Sequence, residues 1–163
     1  MKGLRRKEKE ITGTDEMIKI LNEAKFVTIA MIDSDGPYLA SLTHVYDEKR
    51  NAVYFHCAKE GRKVGILERD SRVWGQALLD KGYVEGKCDH LYETTQFKGR
   101  VSFVKDPAEK SLALEAMIRK LDPDPDALIA KQLNVDSVSR VNIGRIDVEF
   151  MSGKRSLTAI VSL

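Results

Sequence analysis

Three β-type runs lie so close together between residues 26 and 57 that only hairpins can join them. Residues 26–33 (FVTIAMID) and 52–57 (AVYFHC) are rich in β-branched and aromatic residues, and residues 38–46 form the return run between them. The first gap is the turn signal Asp33-Ser34-Asp35-Gly36-Pro37, and the second spans residues 47–51. A parallel crossover needs a dozen or more residues, so neither gap can hold one and the three strands must run antiparallel. Three further strands are predicted at 72–79 (RVWGQALL), 92–104 (YETTQFKGRVSFV) and 141–150 (VNIGRIDVEF). Gly99 and a parity shift near Gly144 each predict a bulge. Residues 157–163 read as a weak terminal strand. Residues 80–90, polar and carrying glycines at 82 and 86, read as a long loop.

Helical patterns flank these strands. Thr14 is placed to cap a helix running to about residue 24, with Met17, Ile18, Leu21 and Ala24 on one face. A short helix follows at 62–69, with Val64 and Leu67 inward. Pro107 opens the clearest helix, to about Lys120, with Leu112, Leu114, Ala116, Met117 and Leu121 apolar. Asp124-Pro125 starts another short one. Six strands in hairpin order with peripheral helices predict an α+β fold, mainly β, on a closed antiparallel barrel. At 163 residues the chain reads as one domain, with a basic N-terminal arm over 1–12 and a helical insertion over 107–135 before the last barrel strand.

Charge and cysteine usage narrow the function classes. Twenty-seven Lys and Arg against 25 Asp and Glu give +2, so no bulk field calls for nucleic acid. The local exception is Lys2, Arg5, Arg6, Lys7 and Lys9, diluted by Glu8 and Glu10 and read as a solvated face. Two cysteines, Cys57 and Cys88, suit a reducing compartment. No apolar run approaches a membrane span, and no secretory leader is seen, so a cytoplasmic location is expected.

The segment that carries chemistry is residues 52–63, AVYFHCAKEGRK. A strand delivers Gly61, Arg62 and Lys63 to a helix start. Free backbone N–H groups there, with the helix dipole, favour an anion, and two adjacent cations suit a phosphate. Solvated first-turn cations would oppose the dipole by about 0.3–1 kcal/mol each, a conflict that a bound anion removes. His56 stands beside this pair and can donate to a phosphate oxygen or to a small anionic substrate. Cys57 alternates with His56 and so faces the core. Cys88 and His90 form a Cys-x-His pair, but a structural zinc site needs four ligands in paired short spacings, so no metal is expected. Asp122, Asp124 and Asp126 imitate a calcium loop, yet Ala127 and Leu133 stand where Gly and Glu are needed. Trp74 reads as core or dimer interface. No acid–base pair or nucleophile triad is seen, which fits chemistry delegated to a cofactor.

Gly36-Pro37-Tyr38, Tyr54-Phe55-His56-Cys57-Ala58, Gly61-Arg62-Lys63 and Met151-Ser152-Gly153-Lys154-Arg155 resemble the Nim-type (5-nitroimidazole-resistance) flavoproteins. These belong to the pyridoxamine 5′-phosphate oxidase-like FMN-binding split-barrel superfamily. The resemblance implies a six-stranded Greek-key split barrel and a homodimer with two FMN molecules in clefts between subunits. It implies that Arg62 and Lys63 hold the FMN phosphate, Gly61 standing where the oxidases carry Ser, and that His56 occupies the strand end. It places Ala40, Ser41, Leu42 and Thr43 along the flavin ring, mainly through backbone groups. Tyr92, Thr94 and Thr95 fall where the partner subunit's fifth strand adds contacts. It further implies an FMN-dependent oxidoreductase, flavin reductase-like or nitroreductase-like, acting on a small molecule with an electron donor. Two departures argue against pyridoxamine phosphate oxidation. Leu39 stands near where the oxidases carry a phosphate-binding arginine, and their C-terminal substrate-gripping residues have no counterpart. The alternative on the same barrel is a non-catalytic flavin or haem carrier, with His44, His56 or His90 as axial ligand.

Overall fold

The computed structural model describes residues 5–158. After a 3-10 turn at Lys7–Lys9 the elements are β1 (Glu10–Ile11), α1 (Thr14–Glu23), β2 (Phe26–Asp33), β3 (Gly36–Asp47), β4 (Ala52–Cys57) and α2 (Arg62–Arg69). Then come β5 (Arg72–Val84), β6 (Asp89–Phe103), α3 (Pro107–Leu121), α4 (Pro125–Gln132), α5 (Val135–Arg140) and β7 (Asn142–Ser156). Every strand pairing is antiparallel, as the short gaps require. The sheet has seven strands rather than six, in the order β1-β7-β4-β3-β2-β5-β6. β6 also pairs with β7, so β2 to β7 close into a ring of hydrogen-bonded neighbours.

The additional strand comes from the basic arm. Glu10 and Ile11 pair with Lys154 and Gly153, and Ile11 enters the core. Lys9 is 7% exposed, and its Nζ donates to Ser156 Oγ at 2.8 Å. The arm is therefore tied down from Lys9 onward; Lys2 lies outside the described residues. The ring encloses Val27, Ile29, Met31, Val53, Phe55, Ala77, Phe97 and Ile146, with α1 contributing Met17, Ile20 and Leu21 and α2 contributing Val64, Ile66 and Leu67. A second cluster forms outside it, where Ala113 and Met117 of α3 cover Ala52, Tyr54 and Ile143. Leu112 and Leu121, predicted on the same apolar face, are exposed instead.

Several boundaries differ from the sequence reading. Gly13, not Thr14, is the N-cap of α1, and no side chain caps it. Residues 80–90 are not a loop: β5 and β6 stay paired out to Val84 and Asp89, with a register shift at Asp80/Gly82. Two bare strands have no buried face, so the sequence there lacks the apolar alternation that signals a strand. The bulge at Gly99 is present, between Lys98 and Gly99 on β6 opposite β7. None occurs at Gly144, where β7 keeps unbroken register with β4 from Asn142 to Asp147. The parity shift there arises because β7 is covered on both faces, Ile143 packing under α3 and Ile146 toward the ring's interior. The helical insertion runs to Arg140, because Asn134 and Ser137 form a capping box that starts α5. Residues 157 and 158 are not strand, and the rest of 157–163 lies outside the described residues.

One polar knot ties α1 to the ring. The Leu21 carbonyl belongs to the last turn of α1, which has no helical partner for it. His44 Nε2–H donates to it at 2.8 Å and Lys120 Nζ at 3.1 Å, with Lys120 Nζ 3.2 Å from His44 Nε2. His44 is fully buried, and its Nδ1 has no partner among the described residues. Burial first, then the nearby Lys120 charge, pushes the His44 pKa down to about 4. Burial alone lowers Lys120 to about 8. Among the described residues, no helix is long and apolar enough to cross a membrane.

Candidate functional site

The site begins with a mismatch in strand length. β3 has 12 residues and β4 has 6. They pair only from His44↔Phe55 to Asp47↔Ala52. Residues 36–43 pair with β2 on one side and, among the described residues, with no strand on the other. In an antiparallel strand alternate residues turn both N–H and C=O to the same edge, so this stretch of β3 presents unused donors and acceptors. β4 meanwhile diverges with His56 and Cys57 held by β7 alone.

α2 starts in the space so opened. Gly61 is its N-cap, at φ 134° and ψ 170°, in a region open to glycine and strained for any other residue. Among the described residues no side chain caps this helix, and a Cβ built on Gly61 would meet nothing within 4 Å. The first-turn N–H groups thus lack a side-chain partner there, at the positive end of the helix dipole. Lys63 is half-buried and makes no ion pair within the described residues. Its charge partly offsets the burial that raises the buried Cys57 thiol. His56 is exposed on the opposite face of β4, with its ring free of hydrogen bonds among the described residues.

Arg62 is engaged otherwise than the sequence suggests. Its Nε donates to Asp33 Oδ2 at 2.7 Å and its Nη2 to Asp35 Oδ1 at 2.8 Å. The guanidinium lies 4.7 Å over the Tyr38 ring. Asp33 also accepts from Arg69 Nη2 at 2.7 Å and from the Ser34 N–H at 2.8 Å. The Arg62 hydrogen bond, followed by the Ser34 N–H, holds the Asp33 carboxyl below its usual range. Sequence reasoning saw Asp33 and Asp35 only as turn formers. Two acids at the end of a strand next to a cationic helix start were the signal for this pairing.

The remaining site residues divide by exposure. Ser41 is exposed and its Oγ lies 3.0 Å from Thr28 Oγ1, Ala40 and Thr43 are half-buried, and Leu42 is buried, so only its backbone can reach a ligand. Tyr92 is half-buried beneath Lys154 Nζ, 5.5 Å from its ring centroid. Thr94 and Thr95 are both buried, on opposite faces of β6. Thr94 Oγ1 donates to the Ala77 carbonyl at 2.8 Å and Thr95 Oγ1 to the Met17 carbonyl at 2.9 Å, so both hydroxyls are spent on the fold. Of the three histidines, His44 is buried in the knot at α1, and His90 Nε2 pairs with Asp80 at 2.7 Å on the hairpin arm near the exposed Cys88.

Trp74 is not core. It stands 43% exposed on the outer face of β5, edge-on to Phe150 at 6.2 Å between centroids. Ala30 of β2 pairs with both Trp74 and Leu39. With Phe26, Ile32 and Leu78 these form an uncovered apolar face across β3, β2 and β5, beside the open edge of β3.

The fold has relatives among solved structures. A candidate 5-nitroimidazole antibiotic resistance protein from Bacteroides thetaiotaomicron is 24% identical, with a TM-score of 0.76 over 90% of this chain and 86% of that one. The flavocytochrome Anf3 from Azotobacter vinelandii aligns at 14% identity and TM-score 0.84, over 99% and 75% of the two chains. An FAD- and haem-binding protein from Mycobacterium smegmatis aligns at 12% identity and TM-score 0.77, over 95% and 77%. No curated protein sequence matches the chain. The sequence profile described as pyridoxamine 5′-phosphate oxidase matches residues 13–155, which takes in β2 to β6, α2 and β7 up to Arg155, and the chain therefore belongs to that family.

Proposed function

We propose that this protein is a flavin-dependent oxidoreductase that binds FMN at a homodimer interface, on a split barrel formed by the ring β2 to β7. The observation that carries the reading is that, among the described residues, the N-terminus of α2 is uncapped, Lys63 beside it makes no ion pair, and the neighbouring edge of β3 is unpaired. Backbone N–H groups at that helix start and the Lys63 ammonium bind the phosphate, with Arg62 as a third donor. Alternate backbone groups over residues 36–43 hydrogen-bond the polar rim of the flavin ring. The apolar face around Leu39, Ala30 and Trp74 takes a second copy of the chain, which completes the cleft and excludes water. Free on the exposed side of β4, His56 is placed to donate a hydrogen bond to a small anionic or nitro-bearing substrate. When bound, the flavin supplies the redox chemistry, exchanging electrons between a donor and that substrate. Titratable groups in the cleft orient and bind rather than drive the reaction.

The fold relatives include FAD-binding and haem-binding proteins, and the free ring of His56 supports haem carriage as a second reading. An absorption spectrum of the protein as isolated separates the two, a flavin doublet against a Soret band. The decisive test replaces Arg62 and Lys63 together by Ala and titrates FMN by fluorescence quenching. Charge-assisted contacts are worth about 1.5–3 kcal/mol each, so affinity should fall at least about a hundredfold in a variant that stays folded. Unchanged FMN affinity would place the phosphate elsewhere and end this reading.

A further inference from the structure

Arg62 is satisfied without any phosphate. Two carboxylates hold its guanidinium, at 2.7 and 2.8 Å, and Tyr38 supports it from below. Asp33 is shared with Arg69, so Arg62, Arg69, Asp33 and Asp35 form a closed cluster of zero net charge. An incoming phosphate therefore meets Lys63 and the α2 amides as uncompensated positive partners, while Asp33 and Asp35 repel it. Both acids sit at the β2–β3 turn, at the start of the unpaired stretch of β3. The two are not equivalent. The Asp33 side chain is 10% exposed and fixed by two arginines and a backbone N–H, whereas that of Asp35 is 73% exposed and bonded to Arg62 alone.

We propose that Asp33 and Asp35 form a carboxylate latch that competes with the flavin phosphate for Arg62, with Asp35 as the arm that releases, so that the latch sets how strongly the site prefers a dianionic phosphate monoester. The inference rests on the phosphate reading of the α2 corner. Release of Asp35 frees Nη2 of Arg62 for a phosphate oxygen, while Asp33 keeps Nε and holds the side chain over Tyr38. A flavin ending in a phosphate monoester, which carries nearly two charges, gains most from release. A pyrophosphate-linked flavin, with one charge per phosphate, gains less, and a flavin lacking phosphate gains nothing.

Asp35→Asn keeps the size of the side chain and removes its charge. FMN, FAD and riboflavin are titrated against the wild-type chain and this variant at low and moderate salt. In a near-aqueous dielectric, removing one carboxylate beside a dianion is worth about three- to tenfold in affinity, shrinking as salt rises. The latch predicts that gain for FMN, a smaller one for FAD and none for riboflavin. FMN affinity that stays level or falls in Asp35→Asn, while wild type still prefers FMN to riboflavin, overturns the latch and makes the acids guides that aim Arg62. Equal binding of FMN and riboflavin by the wild-type chain overturns the phosphate site itself, and the latch with it.

Discussion

Acid should loosen this fold through one imidazole before its carboxylates respond. His44 is fully buried, and its Nε2–H holds the last-turn carbonyl of Leu21. Its pKa in the folded chain is about 4, against an ordinary 6.5. Above pH 6.5 the ring is neutral in both states and the shift costs nothing. Between 6.5 and about 4 the unfolded chain takes up a proton that the folded chain refuses, so stability falls as pH falls. The slope approaches about 1.4 kcal/mol per pH unit, which gives a loss of about 2 kcal/mol between pH 7 and 5 and about 3 kcal/mol at the lower limit. Lys120 adds nothing in this window, being protonated in both states. Its own depressed value, about 8, predicts a gain in stability between pH 8 and 10.5. The comparison is with His44→Gln, whose amide can donate to Leu21 and does not titrate. Urea unfolding midpoints at pH 7, 6 and 5, at constant m, measure the difference. Carboxylates held below their usual range, such as Asp33 and Asp70, titrate in both proteins and cancel. Wild type should lose about 2 kcal/mol more than the variant between pH 7 and 5. Parallel losses would mean that His44 is protonated inside the fold and that the knot around Leu21 is mis-described.

Two further changes test the packing and the interface. A Cβ on Gly144 would lie 2.1 Å from the Phe55 ring, so Gly144→Ala should destabilise the chain by about 1–3 kcal/mol, read as a lowered thermal midpoint without altered flavin stoichiometry. Placing a charge in the uncovered apolar face, as Leu39→Asp, should weaken self-association by at least about tenfold in sedimentation and loosen flavin retention in parallel, and a wild-type chain that sediments as a monomer would remove the proposed partner.

Local chemistry made most of the elements legible, and tertiary contact decided the rest. β4 and α2 fall on their predicted bounds because residues 52–57 have strong β propensity and Gly61 opens the helix at a position that needs positive φ. The hairpin at 80–90 was hidden because nothing covers either face of it, so its pairing is written in backbone register and not in polarity. Thr94 and Thr95 were placed by strand position, but whether a strand threonine serves a ligand or a neighbouring carbonyl depends on what packs above it. Here the accepting carbonyls are that of Ala77 on the neighbouring strand and that of Met17 on α1, the latter 78 residues distant in sequence. Arg62 illustrates the same limit. Its charge and helix position were readable, while its acidic partners lie 27 and 29 residues upstream and meet it only because β2, β3 and α2 converge.

That convergence has a simple origin in strand length. A strand of 12 residues beside one of 6 must leave part of its edge unpaired, and a bare edge is a liability that folds cover or use. α2 fills the interior side with Val64, Ile66 and Leu67 but leaves its own N-terminus open. The outer side is lined by Leu39, Ala30 and Trp74, which bring no charge to satisfy the backbone groups beside them. Unused strand amides and an uncapped helix start therefore lie at the start of β3, with an apolar wall on its outer face. Any ligand that satisfies all three must be flat, apolar across its faces, polar at its rim and anionic at its end. A strand inserted from another chain would meet the edge and the wall but leave the amides of α2 and the Lys63 ammonium without an anion. Under the proposed function, that need for a charged tail is what separates a cofactor cleft from a simple dimer seam.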